Sequence, residues 1–297
     1  MDMILEAVMV EEVEGSGNMK TPNRQTCNTA DARATHKQVA HLSTPVATCR
    51  PPDPRDLVIL LHGLNVTHHT MARIARALAA SGYRVLNPTY PTRAIPLEQI
   101  ATQWLPNFLA AHNAPAAPRL HFVTHSMGGL VVRLWLHETG APANLARIVM
   151  IAPPNQGSEV PDHLRGNALT RFLTGINGAR LGTDPESLPN RLTRSPEKFP
   201  AHIELGIIAG NRWLNPFFLP WIKGESDGTV SVASTRHPAM RDHIVMPHSH
   251  TEIIVRSAVS AQVIAFLRDG KFNRDALTPP PTRKPSTATA RNPRYRG

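Results

Sequence analysis

The sequence predicts an α/β fold: a mostly parallel central sheet of about eight strands, covered by helices on both faces. Three observations support this reading. Short, continuous apolar runs such as Leu57-Val58-Ile59-Leu60-Leu61 recur along the chain, as strands buried on both faces require. Between them lie segments whose apolar residues fall at helical spacing. The two kinds alternate, as parallel strands joined by helical crossovers do.

Pro51-Pro52-Asp53-Pro54 forms a stiff boundary, and the first strand, Leu57–Leu61, follows it. A helix over Thr70–Ala80 places Met71, Ile74, Ala75, Leu78 and Ala79 on one face and stops at Ser81-Gly82. Tyr83–Asn87 is a second strand, closed by Pro88 and Pro91. Leu97–His112 reads as a helix that Pro106 should kink or split. Strand Leu120–Thr124, helix Met127–Glu138 and strand Arg147–Ile151 continue the rhythm. Strand Ile203–Ala209, a short strand His243–Met246 and a closing helix Glu252–Arg268 complete it. One insertion, between residues 153 and 200, interrupts it; insertions of that length are usually lids or binding loops. It is mostly polar apart from Leu169-Thr170-Arg171-Phe172-Leu173, so a large lipid-activated lid is not indicated.

Composition bounds the rest. With 41% hydrophobic and 18% charged residues, most of the 297-residue chain should fold. The formal net charge of +10 invites a nucleic-acid or anionic-surface reading. Its location weakens that reading. Residues 1–56 hold 6 Lys and Arg against 8 Asp and Glu, residues 57–270 hold 19 against 13, and residues 271–297 hold 7 against 1. More than half of the excess therefore belongs to a proline-broken end. The division expected is a flexible leader over 1–56, a catalytic domain over 57–273 and a disordered basic tail over 274–297. Arg283, Lys284, Arg291, Arg294 and Arg296 suit weak association with an anionic surface; no nucleic acid is expected as partner.

No apolar run approaches the roughly 20 residues of a membrane span. Met1–Val10 lacks a basic start and runs into Glu11, Glu12 and Glu14, unlike a secretory signal, so a cytoplasmic location is expected. Two cysteines, Cys27 and Cys49, exclude a disulfide framework and a four-cysteine zinc site. His62, His68 and His69 share one loop without a carboxylate partner or an H-E-x-x-H pattern, and no glycine-rich phosphate loop is present. Neither a metal nor a cofactor is expected.

The chemistry concentrates at Thr124-His125-Ser126-Met127-Gly128-Gly129, between an apolar strand and an apolar helix. A serine in that setting sits on a tight strand-to-helix turn that lifts its hydroxyl above the sheet edge. Small residues two before and two after it let strand and helix approach; Gly128 meets the second demand and Thr124 occupies the first. Acyl transfer also needs two aimed amides for the developing oxyanion. Met127, at the helix start, would supply one, and Leu64, in Leu61-His62-Gly63-Leu64-Asn65, the other.

These pieces resemble the α/β-hydrolase superfamily, and within it the bacterial lipase and esterase-like branch. So do Ala152-Pro153-Pro154-Asn155-Gln156-Gly157-Ser158 and Glu225-Ser226-Asp227-Gly228-Thr229-Val230. The resemblance runs from Leu57 to about Phe272 and departs from the consensus at Thr124. It implies an eight-stranded sheet and a Ser…Asp…His triad in that order, hydrolysing a carboxylic ester through an acyl-serine. Amidase, thioesterase or acyltransferase chemistry would use the same machinery.

The acid is expected at Asp227, with Glu225 as rival. The base is expected in Pro247-His248-Ser249-His250-Thr251-Glu252, at His250 with His248 as alternative, because Thr251 could cap the closing helix and the family pattern places its histidine just before such a helix. His62, His121 and His125 read as hydrogen-bonded scaffold, with His62 and Gly63 also bordering the substrate. Trp213, Phe217 and Phe218 suit a wall of the acyl pocket, a surface that meets lipid, or a plug beneath the acid loop. The substrate expected is a small-molecule or lipid ester.

Overall fold

The computed structural model describes residues 10–13, 53–164, 175–195, 199–213 and 221–277. Its sheet has seven strands: β1 (Val10–Val13), β2 (Leu57–Leu61), β3 (Arg84–Pro88), β4 (Leu120–His125), β5 (Leu145–Ile151), β6 (Glu204–Gly210) and β7 (Met240–Met246). Their spatial order is β1-β3-β2-β4-β5-β6-β7. Every pairing is parallel except β1 with β3. The sequence led to an expectation of about eight strands; among the described residues there are seven. One of them, β1, comes from the segment read as leader. It pairs antiparallel at the sheet edge, where Val10 faces Pro88 and Val13 faces Val85.

The continuous apolar strands do what their pattern requires. Every residue of β2 and β4 is buried, and successive residues enter opposite layers. Leu57, Ile59 and Leu61 join Phe122, Leu130 and Trp135 on one side. Val58 and Leu60 join Ile74, Leu78, Val263 and Phe266 on the other. Fully burying each such side chain contributes about 1.5–3 kcal/mol. Register then positions the site. Leu61 pairs with Thr124, His125 with Ile151, and Gly210 with Met246. The chain therefore leaves β2, β4, β6 and β7 along one edge.

The helices depart from prediction for physical reasons. A 3-10 turn, His68–Met71, precedes α1 (Ala72–Ala80). The segment expected to kink at Pro106 divides into α2 (Leu97–Gln99), a π-helical stretch Ile100–Trp104, and α3 (Leu105–Ala111). Proline cannot donate a helical hydrogen bond and collides with the preceding turn; the wider π turn ends just before it, and Pro106 sits in the first turn of α3. The closing helix starts at Ser257, not at Glu252, because Arg256 adopts extended angles (φ −90°, ψ 128°) after a 3-10 turn at Ile253–Val255. Arg256, not Thr251, occupies its N-cap.

The described parts of the insertion are tied down. Buried Asn177 accepts from the Leu97 amide at 3.0 Å and donates to the Thr92 and Ile95 carbonyls, both at 2.9 Å. Among the described residues, no helix is long and apolar enough to cross a membrane. Cys27, Cys49, Leu169–Leu173, and the tail from residue 278 on lie outside the described residues.

Candidate active site

Ser126 falls between β4 and α4 (Met127–Thr139) with φ 53° and ψ −123°, backbone angles that a residue with a side chain rarely adopts. The strain is held from both flanks: its amide donates to the Ile151 carbonyl at 2.9 Å, and its carbonyl accepts from the Gly129 amide at 3.0 Å. Gly128 is required by proximity, since a Cβ there would lie 2.5 Å from the Leu61 carbonyl oxygen. The consensus departure at Thr124 has a local remedy. Thr124 Oγ1 would lie 3.4 Å from a Cβ at residue 129, where the chain has glycine. Bulk before the serine is matched by its absence after it.

His250 and Asp227 meet Ser126. His250 Nε2 is 3.0 Å from Ser126 Oγ, and His250 Nδ1 is 2.7 Å from Asp227 Oδ2. Asp227 is 2% exposed, and its other oxygen accepts from the amides of Thr229 (2.9 Å) and Val230 (2.8 Å). The His250 amide donates to the Asp227 carbonyl at 3.0 Å, so the two residues are joined by main chain as well. Glu225 is exposed, and among the described contacts His248 joins this network only through its backbone. Burial, reinforced by Arg256 and Arg212, lowers the His248 pKa.

Sequence reasoning passed over Gly210. A Cβ on it would stand 2.4 Å from the His248 carbonyl oxygen and 2.8 Å from Asp227 Cβ. It is the point at which the loops carrying Asp227 and His248 close on the end of β6.

His62, expected beside the substrate, is fully buried; its Nδ1 donates to the Gly63 carbonyl at 2.8 Å and its Nε2 accepts from the Tyr90 amide at 3.3 Å. The Tyr90 hydroxyl donates to the His62 carbonyl at 2.5 Å. Burial lowers the ring's pKa to about 4, so it remains neutral. Gly63 passes close to Ser126: a Cβ there would be 3.2 Å from the serine's Cβ. Leu64 follows it, partly buried, and Met127 is the first residue of α4.

His125 is 4% exposed and reaches across to the loop after β7, its Nε2 lying 3.0 Å from the His250 carbonyl oxygen. Burial holds its pKa well below 6.5. Trp213 is 45% exposed and lies against the turn after Asp227, its Cβ 3.2 Å from where a Cβ would stand at residue 228. Phe217 and Phe218 lie outside the described residues. Among the described residues, no three His, Cys, Asp or Glu side chains gather in an arrangement able to hold a metal ion.

Solved structures share this architecture. The mature form of the lipase BlEst2 from Bacillus licheniformis is 20% identical, with a TM-score of 0.59 over 75% of this chain and 94% of that one. Its propeptide form gives 0.60 at 20% identity, over 76% of this chain and 52% of that one. Phospholipase PlaB from Legionella pneumophila in complex with thio-NAD gives 0.58 at 20% identity, over 74% and 60%. At such identities the likeness is one of fold. No curated protein matches the chain by sequence. The alpha/beta hydrolase family, by contrast, matches residues 58–282, three quarters of the chain and all of the site just described. The chain belongs to the alpha/beta hydrolase family.

Proposed function

We propose that the protein is a serine hydrolase that cleaves a carboxylic ester through an acyl-serine at Ser126. The observation that supports it most is the unbroken chain from Ser126 Oγ through both nitrogens of His250 to Asp227, at 3.0 and 2.7 Å. In this reading Ser126 Oγ attacks the ester carbonyl while His250 Nε2 takes its proton. The carbonyl oxygen becomes an oxyanion, stabilised by the Leu64 and Met127 amides and by the start of α4. Collapse breaks the bond to the alcohol, which leaves with the proton from His250. Water then attacks the acyl-serine, giving its proton to the same nitrogen, and the acid departs as Ser126 is restored. Asp227 stays ionised, orients the ring and stabilises the imidazolium.

The chemistry is acyl transfer, so the acceptor has to be measured as well as the donor. Purified protein should hydrolyse p-nitrophenyl acetate and longer p-nitrophenyl esters, and a fluorophosphonate should label Ser126. Ser126→Ala should lose both. Turnover surviving in that variant would overturn the proposal. Adding alcohols or amines distinguishes a hydrolase from an acyltransferase, because a transferase would divert the acyl group from water.

A further inference from the structure

Resting on the reading of Ser126 as nucleophile and His250 as base, we propose that His125 is a positioning residue that holds the main chain of the base. His250 lies on a loop after β7, with no regular element to fix it. Four contacts fix it instead. Its amide and its Nδ1 are tied to Asp227, at 3.0 and 2.7 Å. Its Nε2 faces Ser126 Oγ at 3.0 Å, and its carbonyl accepts from His125 Nε2 at 3.0 Å. Half of its restraint therefore comes from two adjacent residues, the nucleophile and the one before it.

The residue type follows from the place. The rings of His125 and His250 are 4.9 Å apart and tilted by 44°. A cation at 125 would oppose the imidazolium that forms at 250, so the donor has to be neutral. Burial keeps His125 uncharged. Because Nε2 carries the hydrogen, Nδ1 is a bare acceptor, and it has no hydrogen-bond partner among the described residues. It faces Gly63, where a Cβ would lie 3.1 Å away. One ring thus touches the oxyanion loop, adjoins the nucleophile and restrains the base.

A ring that merely fills this space would be replaceable by phenylalanine; a ring that positions the base would not. H125F keeps the ring and removes the donor, whereas H125Q puts an amide N–H the same number of bonds from Cβ as Nε2. The experiment measures p-nitrophenyl acetate kinetics, fluorophosphonate labelling rate and melting temperature on full-length wild type and both variants. H125F should lower kcat and labelling about tenfold or more with KM little changed, since small misplacements of a reacting group are that costly. H125Q should recover most of the loss. Wild-type kcat in H125F, or equal losses in both variants at unchanged melting temperature, would overturn the proposal. If H125F does not fold, H125M provides the same comparison. A wild-type protein that neither turns over ester nor labels refutes the Ser126 reading itself, a result distinct from an H125F that labels at the wild-type rate.

Discussion

His62 Nδ1 lies 2.8 Å from the carbonyl oxygen of Gly63, its own neighbour in the chain. A peptide unit is planar, and its C=O and N–H point in opposite directions. Holding the Gly63 oxygen therefore sets the direction of the Leu64 N–H, the amide proposed to meet the oxyanion. Tyr90 anchors His62 from the far side through its amide and its hydroxyl.

His62→Leu should lower kcat by about tenfold to a hundredfold with little change in KM. Removing an oxyanion donor outright costs about 10²–10³, and here the donor remains but is less well aimed. His62→Asn, whose side-chain amide nitrogen can stand near the Nδ1 position, should lose less. Steady-state kinetics on the folded variants check this. Wild-type kcat in His62→Leu would show that the loop aims itself.

Asp227→Asn should cost far more, about 10⁴ in kcat if the amide favours the wrong imidazole tautomer. Fold should survive, because the two backbone amides at 2.8 and 2.9 Å can still bond a side-chain oxygen. Glu225→Gln should leave turnover unchanged, since Glu225 is exposed and makes no described contact with His250. If the two variants exchanged phenotypes, the acid would be Glu225.

Gly210→Ala tests how the two loops close. The added methyl would meet the His248 carbonyl oxygen at 2.4 Å and Asp227 Cβ at 2.8 Å, backbone and a buried side chain that have nowhere to yield. Overpacking of this kind costs about 1–3 kcal/mol. Melting temperature and kcat should fall together. A variant with normal kcat would mean that the acid and base can shift without losing register.

The three residues proposed to carry the chemistry each stand in a local pattern that the sequence shows. Ser126 lies between an apolar strand and an apolar helix, Asp227 precedes a glycine turn, and His250 follows the last strand. What joins them was not legible. His125 meets a carbonyl 125 residues away, and no periodicity records that contact. Gly210 looks like any strand-ending glycine until β7 is placed beside β6. His62 was read as bordering substrate from its loop alone; its contacts with Tyr90, two residues past the end of β3, have no local signal. The strand Val10–Val13 escaped because Glu11 and Glu12 hide a short edge strand among polar neighbours. Thr251 looked like a cap because the extended angles of Arg256 are a tertiary outcome, invisible to propensity.

Acid should destabilise the fold before the carboxylates titrate. His62 and His121 are fully buried, and desolvation lowers their pKa values from 6.5 to about 4 and about 3. The cations Arg119 and Arg147 add to the effect at His121. In the unfolded chain both rings take protons near pH 6.5, while the folded protein refuses them until about pH 4 or below. Between those limits the unfolded state binds more protons, so stability rises with pH and falls as pH drops. The contribution is fully present above about pH 6.5 and is lost progressively toward pH 4. For each histidine kept neutral in the fold, every pH unit in that window costs about 1.4 kcal/mol. His121 lies on β4 near its start, at the opposite end from Ser126, so it can be changed without touching the site. Urea midpoints should fall from pH 7 to pH 5 in wild type, and the slope should be shallower in His121→Phe by about one proton's worth. A wild-type curve flat across that range, or an unchanged slope in the variant, would show that the buried rings do not set acid stability.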